Sequence, residues 1–141
     1  MKDILEKAIV EGRKTAMAKL ADLEAQGPKW RVVDDPNFTV KPKVYGTMLD
    51  LCGFAHIKVS GRNSLVSWIK KHAEKDGNGN YKLETQHGRV RLYKSYKTGY
   101  NLYLPVECNR QEISVLTAGY EGALRVLAEQ GIEGYVVSRL D

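Results

Sequence analysis

Residues 88–105 have the sequence GRVRLYKSYKTGYNLYLP. It holds four tyrosines and four Lys or Arg residues, and it has no acidic residue. Apolar and polar residues alternate on both sides of Lys97-Thr98-Gly99, which is typical of two antiparallel strands joined by a short loop. We therefore predict a hairpin with a three-residue loop and with Gly99 in the left-handed conformation.

The length of the loop determines which side chains share a face, because side chains alternate along a strand. The three-residue loop places Leu92 opposite Leu104 on a core face, and Tyr93 opposite Tyr103 on an outer face. A two-residue loop would instead pair Arg91 with Leu104 and mix polar with apolar residues on each side. We therefore predict an outer face of Arg89, Arg91, Tyr93 and Tyr103, with Lys94 and Lys97 at the hairpin edge.

Periodicity predicts the elements around this hairpin. The fold class is α+β, with a ferredoxin-like βαββαβ antiparallel sheet that has one added strand and helices on one face, preceded by an N-terminal helix. Asn109 and Glu112 have the spacing of a capping box for the last helix. The predicted helices cover residues 2–26, 64–75 and about 110–130, and the predicted strands cover 52–61, 81–86, 89–96, 100–106 and 132–139.

Proline and glycine suggest how the chain is divided. Gly27-Pro28 ends the first helix, and prolines at 28, 36 and 42 mark an irregular stretch. We assign residues 1–27 to the N-terminal helix, 28–43 to a connecting arm, and 44–141 to the α+β domain.

Composition indicates the broad class of protein. Hydrophobic residues make up 43% and charged residues 28% of the 141 residues, as in globular proteins. No apolar run is long enough for a membrane span, and the first residues, MKDILEKAIVEGRK, do not form a secretion signal. We expect a cytoplasmic protein, with Cys52 and Cys108 as reduced thiols because they lack a metal-ligand spacing.

Charge is distributed unevenly along the chain. Residues 61–104 carry nine Lys or Arg against three Asp or Glu, whereas residues 105–141 carry three against six. A basic sheet face with exposed tyrosines is typical of platforms that bind single-stranded nucleic acid. The same residues also fit an ordinary soluble face, because tyrosine favours strands and arginine keeps them hydrated.

No pattern in the sequence predicts a catalytic or metal site. DGNGN (76–80) begins like a calcium loop, but Tyr81 and His87 occupy the positions of its glycine and its bidentate glutamate. The three histidines, His56, His72 and His87, lack the spacing of zinc ligands. We expect no enzyme activity, no metal and no cofactor.

Two further segments carry a resemblance. GFAHIKVSGRNSLVSWIKKH (53–72) and AGYEGALRVLAEQGIEGYVVSRLD (118–141) resemble small uncharacterised proteins encoded by tailed bacteriophages, over about residues 53–141. The resemblance implies a phage or prophage origin, with the host cell cytoplasm as the location, and it attaches no activity.

Three functions are compatible with these observations. The first is a phage accessory protein that binds nucleic acid through the basic, tyrosine-rich face. The second is a protein-binding module that inhibits a host enzyme or defence complex, and the third is a virion structural protein. The basic middle and the acidic end of the chain would also favour head-to-tail self-association into a homo-oligomer.

Overall fold

The computed structural model describes residues 1–27, 30–33, 44–48, 50–107 and 110–140. The elements are α1 (Lys2–Gln26), β1 (Trp30–Val33), β2 (Val44–Met48), β3 (Gly53–Val59), α2 (Ser64–His72), β4 (Glu74–Lys75), β5 (Tyr81–Thr85), β6 (Gly88–Lys94), β7 (Tyr100–Tyr103), α3 (Ile113–Glu129) and β8 (Gly134–Leu140). The first helix has the predicted bounds, whereas α2 ends three residues before the predicted end. The pair β1–β2 and the short strand β4 are additions to the predicted set.

The strands form two antiparallel sheets. β1 pairs with β2, and the other strands make a six-stranded sheet in the order β4-β5-β6-β7-β3-β8. The α+β class is therefore confirmed, but the exact ferredoxin-like topology is not. Helix α2 leads from β3 to the edge strand β4, which turns back into β5. Two strands separate β5 from β3, so β3 and β5 run antiparallel. The split βαβ unit of the ferredoxin-like plan would place a single strand between them.

All three helices pack on one face of this sheet. Leu5 of α1, Leu65 of α2 and Leu127 of α3 belong to one buried cluster with the inward-facing residues of the sheet, Ile57 and Leu92 among them. Alternation along β3 and β6 explains this, because every second residue of each strand is buried. The opposite face of the sheet is consequently left without a helix among the described residues.

Glycines allow α1 and α3 to pack closely. A Cβ atom on Gly12 would lie 2.6 Å from Val106 Cγ1 and 2.7 Å from the carbonyl oxygen of Gly119. A Cβ on Gly122 would lie 2.8 Å from the Cβ of Thr15. Small residues on both helices, Gly12 on α1 and Gly119 and Gly122 on α3, therefore permit the close approach.

The hairpin has the predicted faces but not the predicted register. Lys94 lies opposite Tyr100 and Leu92 opposite Leu102, so the loop spans residues 95–99 and the predicted three-residue loop is wrong. In the observed register the fully buried residues Leu92 and Leu102 are paired, whereas the predicted register would pair Lys94 with Leu102. The shift is two residues, so the faces are unchanged. Gly99 has the predicted positive φ, 76°.

The last helix begins later than its predicted capping box. Its N-cap residue is Glu112, which makes no capping hydrogen bond and instead pairs with Arg110. The first turn is capped by Asp50, whose carboxylate accepts hydrogen bonds from the backbone and the hydroxyl of Ser114. Asn109 lies outside the described residues. Helix α2 is capped locally, since the side chain of Asn63 accepts a hydrogen bond from the Leu65 N–H at 2.9 Å.

None of the helices in the described ranges combines the length and the hydrophobicity that a membrane span requires.

Candidate nucleic-acid interface

Strand pairing orders the uncovered face of the six-stranded sheet, which we call the outer face, into three rows. Directly paired residues of neighbouring strands point to the same side, so each row crosses the sheet from β8 towards β5. The first row has Arg139 beside Phe54 and Arg89 beside Glu84. The second has Val137 beside His56, and Tyr103, Arg91 and Lys82 side by side. The third contains Tyr135, Lys58, Asn101 and Tyr93.

Aromatic rings occupy the middle of this face. The ring centroid of Tyr103 lies 5.2 Å from that of His56 and 5.4 Å from that of Tyr93. Phe54 is 52% exposed, and the guanidinium of Arg139 lies 5.4 Å from its ring centroid. Neighbouring rings at these spacings provide a surface on which flat aromatic groups can stack.

Basic residues surround the rings. Lys58, Lys82, Arg89, Arg91 and Arg139 face outwards, against Glu84 and, at the β4 edge, Glu74. Arg89 is ion-paired with Glu84. Arg91 has no ion-pair partner among the residues that the structure describes, and its cross-strand neighbours are Lys82 and Tyr103. Lys58 and Lys82 also have no ion pair within the described ranges, but Arg91 is the guanidinium directly beside the Tyr103 ring, where it can receive an external anion.

The local environment keeps the side chains of His56 and Tyr103 uncharged at neutral pH. Burial, together with the positive charges of Lys58 and Arg139, holds the pKa of His56 below its usual value. Burial and the neighbouring Tyr93 hydroxyl raise the pKa of Tyr103 above its usual value. A neutral imidazole and a neutral phenol therefore lie side by side under a positive rim.

The structure brings together four of the six residues predicted from sequence. Arg89, Arg91, Tyr93 and Tyr103 share the outer face. The other two, Lys94 and Lys97, are exposed near the end of the hairpin. Lys94 has the strand parity of buried Leu92 and therefore lies on the side of the sheet that the helices cover.

Residues from β3 and β8 complete the face, and the sequence analysis did not include them in the site. They are Phe54, His56, Lys58, Tyr135 and Arg139. The alternation of Phe54, His56 and Lys58 with buried residues is visible in the sequence. What the sequence does not show is that β3 lies between β7 and β8, which places its outward residues beside Tyr103.

One groove on the helix side of the molecule is acidic. A groove between α1, α3 and the β5–β6 turn is lined by Asp3, Glu6, Glu11 and Glu129, with Lys7 as its basic residue. The groove is therefore a local acidic patch on the helix side of the molecule, in contrast to the basic outer face.

Among the described residues, no group of three or more His, Cys, Asp or Glu side chains is arranged to hold a metal ion. Comparison of the chain with protein-family models, with curated proteins and with solved structures finds no match of any of the three kinds. The geometry of the outer face is therefore the main guide to the function of the protein.

Proposed function

We propose that this protein is a phage or prophage accessory factor that binds single-stranded nucleic acid through the outer face. The observation that carries the proposal is the set of adjoining rings of His56, Tyr103 and Tyr93 beside Arg91. Rings bind the faces of bases and an unpaired guanidinium binds phosphate, so the two kinds of group together match a single strand with exposed bases.

The arrangement defines a role for each residue. Tyr103 and Phe54 supply stacking surfaces, each worth about 1–3 kcal/mol per base. Arg91 contacts the phosphate backbone, and Lys58 and Lys82 add long-range attraction. A sheet of this kind accommodates about two or three stacked bases. Because stacking tolerates every base, we expect binding with little sequence preference.

The test is fluorescence anisotropy with labelled single-stranded DNA, single-stranded RNA and duplexes, each at two salt concentrations. Arg91→Ala should weaken single-strand binding and reduce the slope of log K against log salt by about 0.7, the value for one phosphate contact. Tyr103→Leu should weaken binding by about 1–3 kcal/mol and leave the salt slope unchanged. Arg125→Ala is the matched control, because Arg125 is an exposed arginine on α3 in the helix layer.

Two outcomes would contradict the proposal. One is that no oligonucleotide binds even at low salt. The other is that Arg91→Ala and Tyr103→Leu bind as the unaltered protein does, which would place any binding on another surface.

The acidic groove favours a second candidate, a module that binds a basic surface of a host enzyme or defence complex. The carboxylates of Glu6 and Glu129 line the same groove and would attract such a partner. In a pull-down from host lysate, Glu6→Lys with Glu129→Lys should lose a partner that Arg91→Ala retains. A partner lost in the reverse pattern would argue against this candidate.

A further inference from the structure

The two edges of the six-stranded sheet are built differently. One edge is β4, which has two residues, Glu74 and Lys75, both exposed. Short, charged edge strands resist pairing with other chains. The other edge is β8, which has seven residues and pairs along its whole length with β3, without a bulge. β8 contains neither proline nor lysine, so it lacks these devices that prevent edge-to-edge pairing.

The free side of β8 is open among the described residues. β8 is last in the strand order, and no described strand pairs with its second side. Tyr135 and Leu140 have large side chains with much apolar surface, yet each residue is 57% exposed. A long edge with exposed apolar side chains is a template for another strand.

We propose that β8 pairs with β8 of a second copy of this chain, antiparallel and about a two-fold axis through Val137. Residues opposite each other in a sheet point to the same face, so the sum of paired residue numbers must be even. Of the registers that satisfy this condition, only the one centred on Val137 pairs all seven residues of the strand. Two-fold symmetry then makes the contact self-complementary.

The paired side chains are chemically compatible in this register. Tyr135 lies opposite Arg139, which allows a cation–π contact at each end of the interface. Leu140 lies opposite Gly134, where the glycine leaves room for the exposed leucine. Val137 meets its own copy at the centre, so no two like charges are directly opposed.

The helix side of the edge also has space for the second copy. A depression beside β8 is lined by Ser114, Thr117, Ala118 and Ser138, together with Ile113, Lys19 and Glu121. In the proposed register Val136 of the second copy lies opposite Ser138 and enters this depression. Four of its seven lining side chains are small, which leaves space for the valine.

The consequence is one continuous sheet in which both outer faces lie on the same side. Arg139 of each copy then lies next to Tyr135 of the other, and the two sets of rings form a single surface. Dimerisation does not depend on the nucleic-acid proposal, and its test contains no nucleic acid.

The test is sedimentation velocity over a range of protein concentrations. The unaltered protein should sediment as a species of twice the monomer mass at high concentration. Val137→Lys should sediment as a monomer, because two lysines would face each other across the axis at about 4.5–5.5 Å between Cβ atoms. Asn101→Lys is the matched control: it adds the same charge to the same face on the interior strand β7 and should remain dimeric.

A second measurement does not depend on a destabilising change. With Cys52 and Cys108 replaced by serine, Val137→Cys should form an intermolecular disulfide under mild oxidation, because directly opposed Cβ atoms are close to disulfide distance. Asn101→Cys should not. The proposal is overturned if the unaltered protein is monomeric at all concentrations. It is equally overturned if Val137→Lys leaves a dimer intact while Val137→Cys fails to cross-link.

Discussion

Replacement of Gly12 by alanine offers a test of the packing between α1 and α3, because two effects of opposite sign compete at this position. Alanine in place of glycine inside a helix normally stabilises it by about 0.8–1.0 kcal/mol. Gly12, however, is buried where α1 crosses α3, and the added Cβ would lie 2.6 Å from Val106 Cγ1 and 2.7 Å from the carbonyl oxygen of Gly119.

The clash should outweigh the gain in helix propensity. The Val106 methyl group can rotate or shift, but the carbonyl oxygen belongs to the backbone of α3 and moves only with the helix. Overpacking of a well-packed core costs about 1–3 kcal/mol. Subtracting the helix gain leaves a net loss of up to about 2 kcal/mol in the free energy of unfolding.

Urea denaturation followed by circular dichroism measures this quantity. Ala18→Gly is the reciprocal control, because Ala18 is exposed on the same helix and should lose only the propensity, about 1 kcal/mol. Both changes should therefore destabilise the protein although they are opposite in chemistry. A Gly12→Ala protein more stable than the unaltered one would refute the reasoning, since it would show that the helices are not in close contact at this position.

Two further changes probe other parts of the fold. The buried Tyr120 hydroxyl accepts a hydrogen bond from the N–H of Leu104 and donates one to the carbonyl oxygen of the same residue, each at 3.1 Å. Tyr120→Phe should therefore lower the free energy of unfolding, measured by urea denaturation, by about 1–3 kcal/mol. A change within about 0.5 kcal/mol, typical of surface sites, would contradict this. The pKa of His56 is lowered by folding from 6.5, so the unfolded chain binds more protons and the native state should lose stability as the pH falls below about 6.5. His56→Gln should lose less stability than the unaltered protein between pH 7 and pH 5 in thermal melts, and parallel pH profiles would count against the assignment.

The faces of the hairpin could be predicted from sequence, but its register could not. Alternation along residues 88–105 separates buried from exposed residues for any loop with an odd number of residues, because a change of two residues in the loop leaves every side chain on the same face. Loop length depends on what the turn packs against. A Cβ on Gly99 would lie 2.5 Å from the carbonyl oxygen of Val59, so the turn rests on the end of β3, a neighbour that the hairpin sequence does not reveal.

The start of α3 shows the same limit. The spacing of Asn109 and Glu112 matches a local capping motif, yet the cap comes from Asp50, 64 residues away in the chain. Local patterns reveal only those caps that local residues supply. Likewise, the sequence shows Gly12 only as a residue that weakens the middle of α1. The contact with α3 explains why a glycine is required there.

The same restriction to local patterns explains why the sequence predicted only part of the candidate site. Arg89, Arg91, Tyr93 and Tyr103 lie on strands that are consecutive in sequence, and hairpin geometry sufficed to place them together. Phe54, His56 and Arg139 join them through the pairing of β3 with β7 and β8, which is long-range and is set by how the helices cover the other face.

The pairing of α1 with α3 also has a consequence for synthesis of the chain. The apolar side of α1 is made first, but the helix it packs against begins at Ile113, roughly a hundred residues later. At about 5–20 residues per second, that interval is about 5–20 s on the ribosome. Throughout this time Leu5 and Ile9, fully buried in the folded protein, have no α3 to cover them, and the nascent helix is open to chaperones and to premature contacts with other chains.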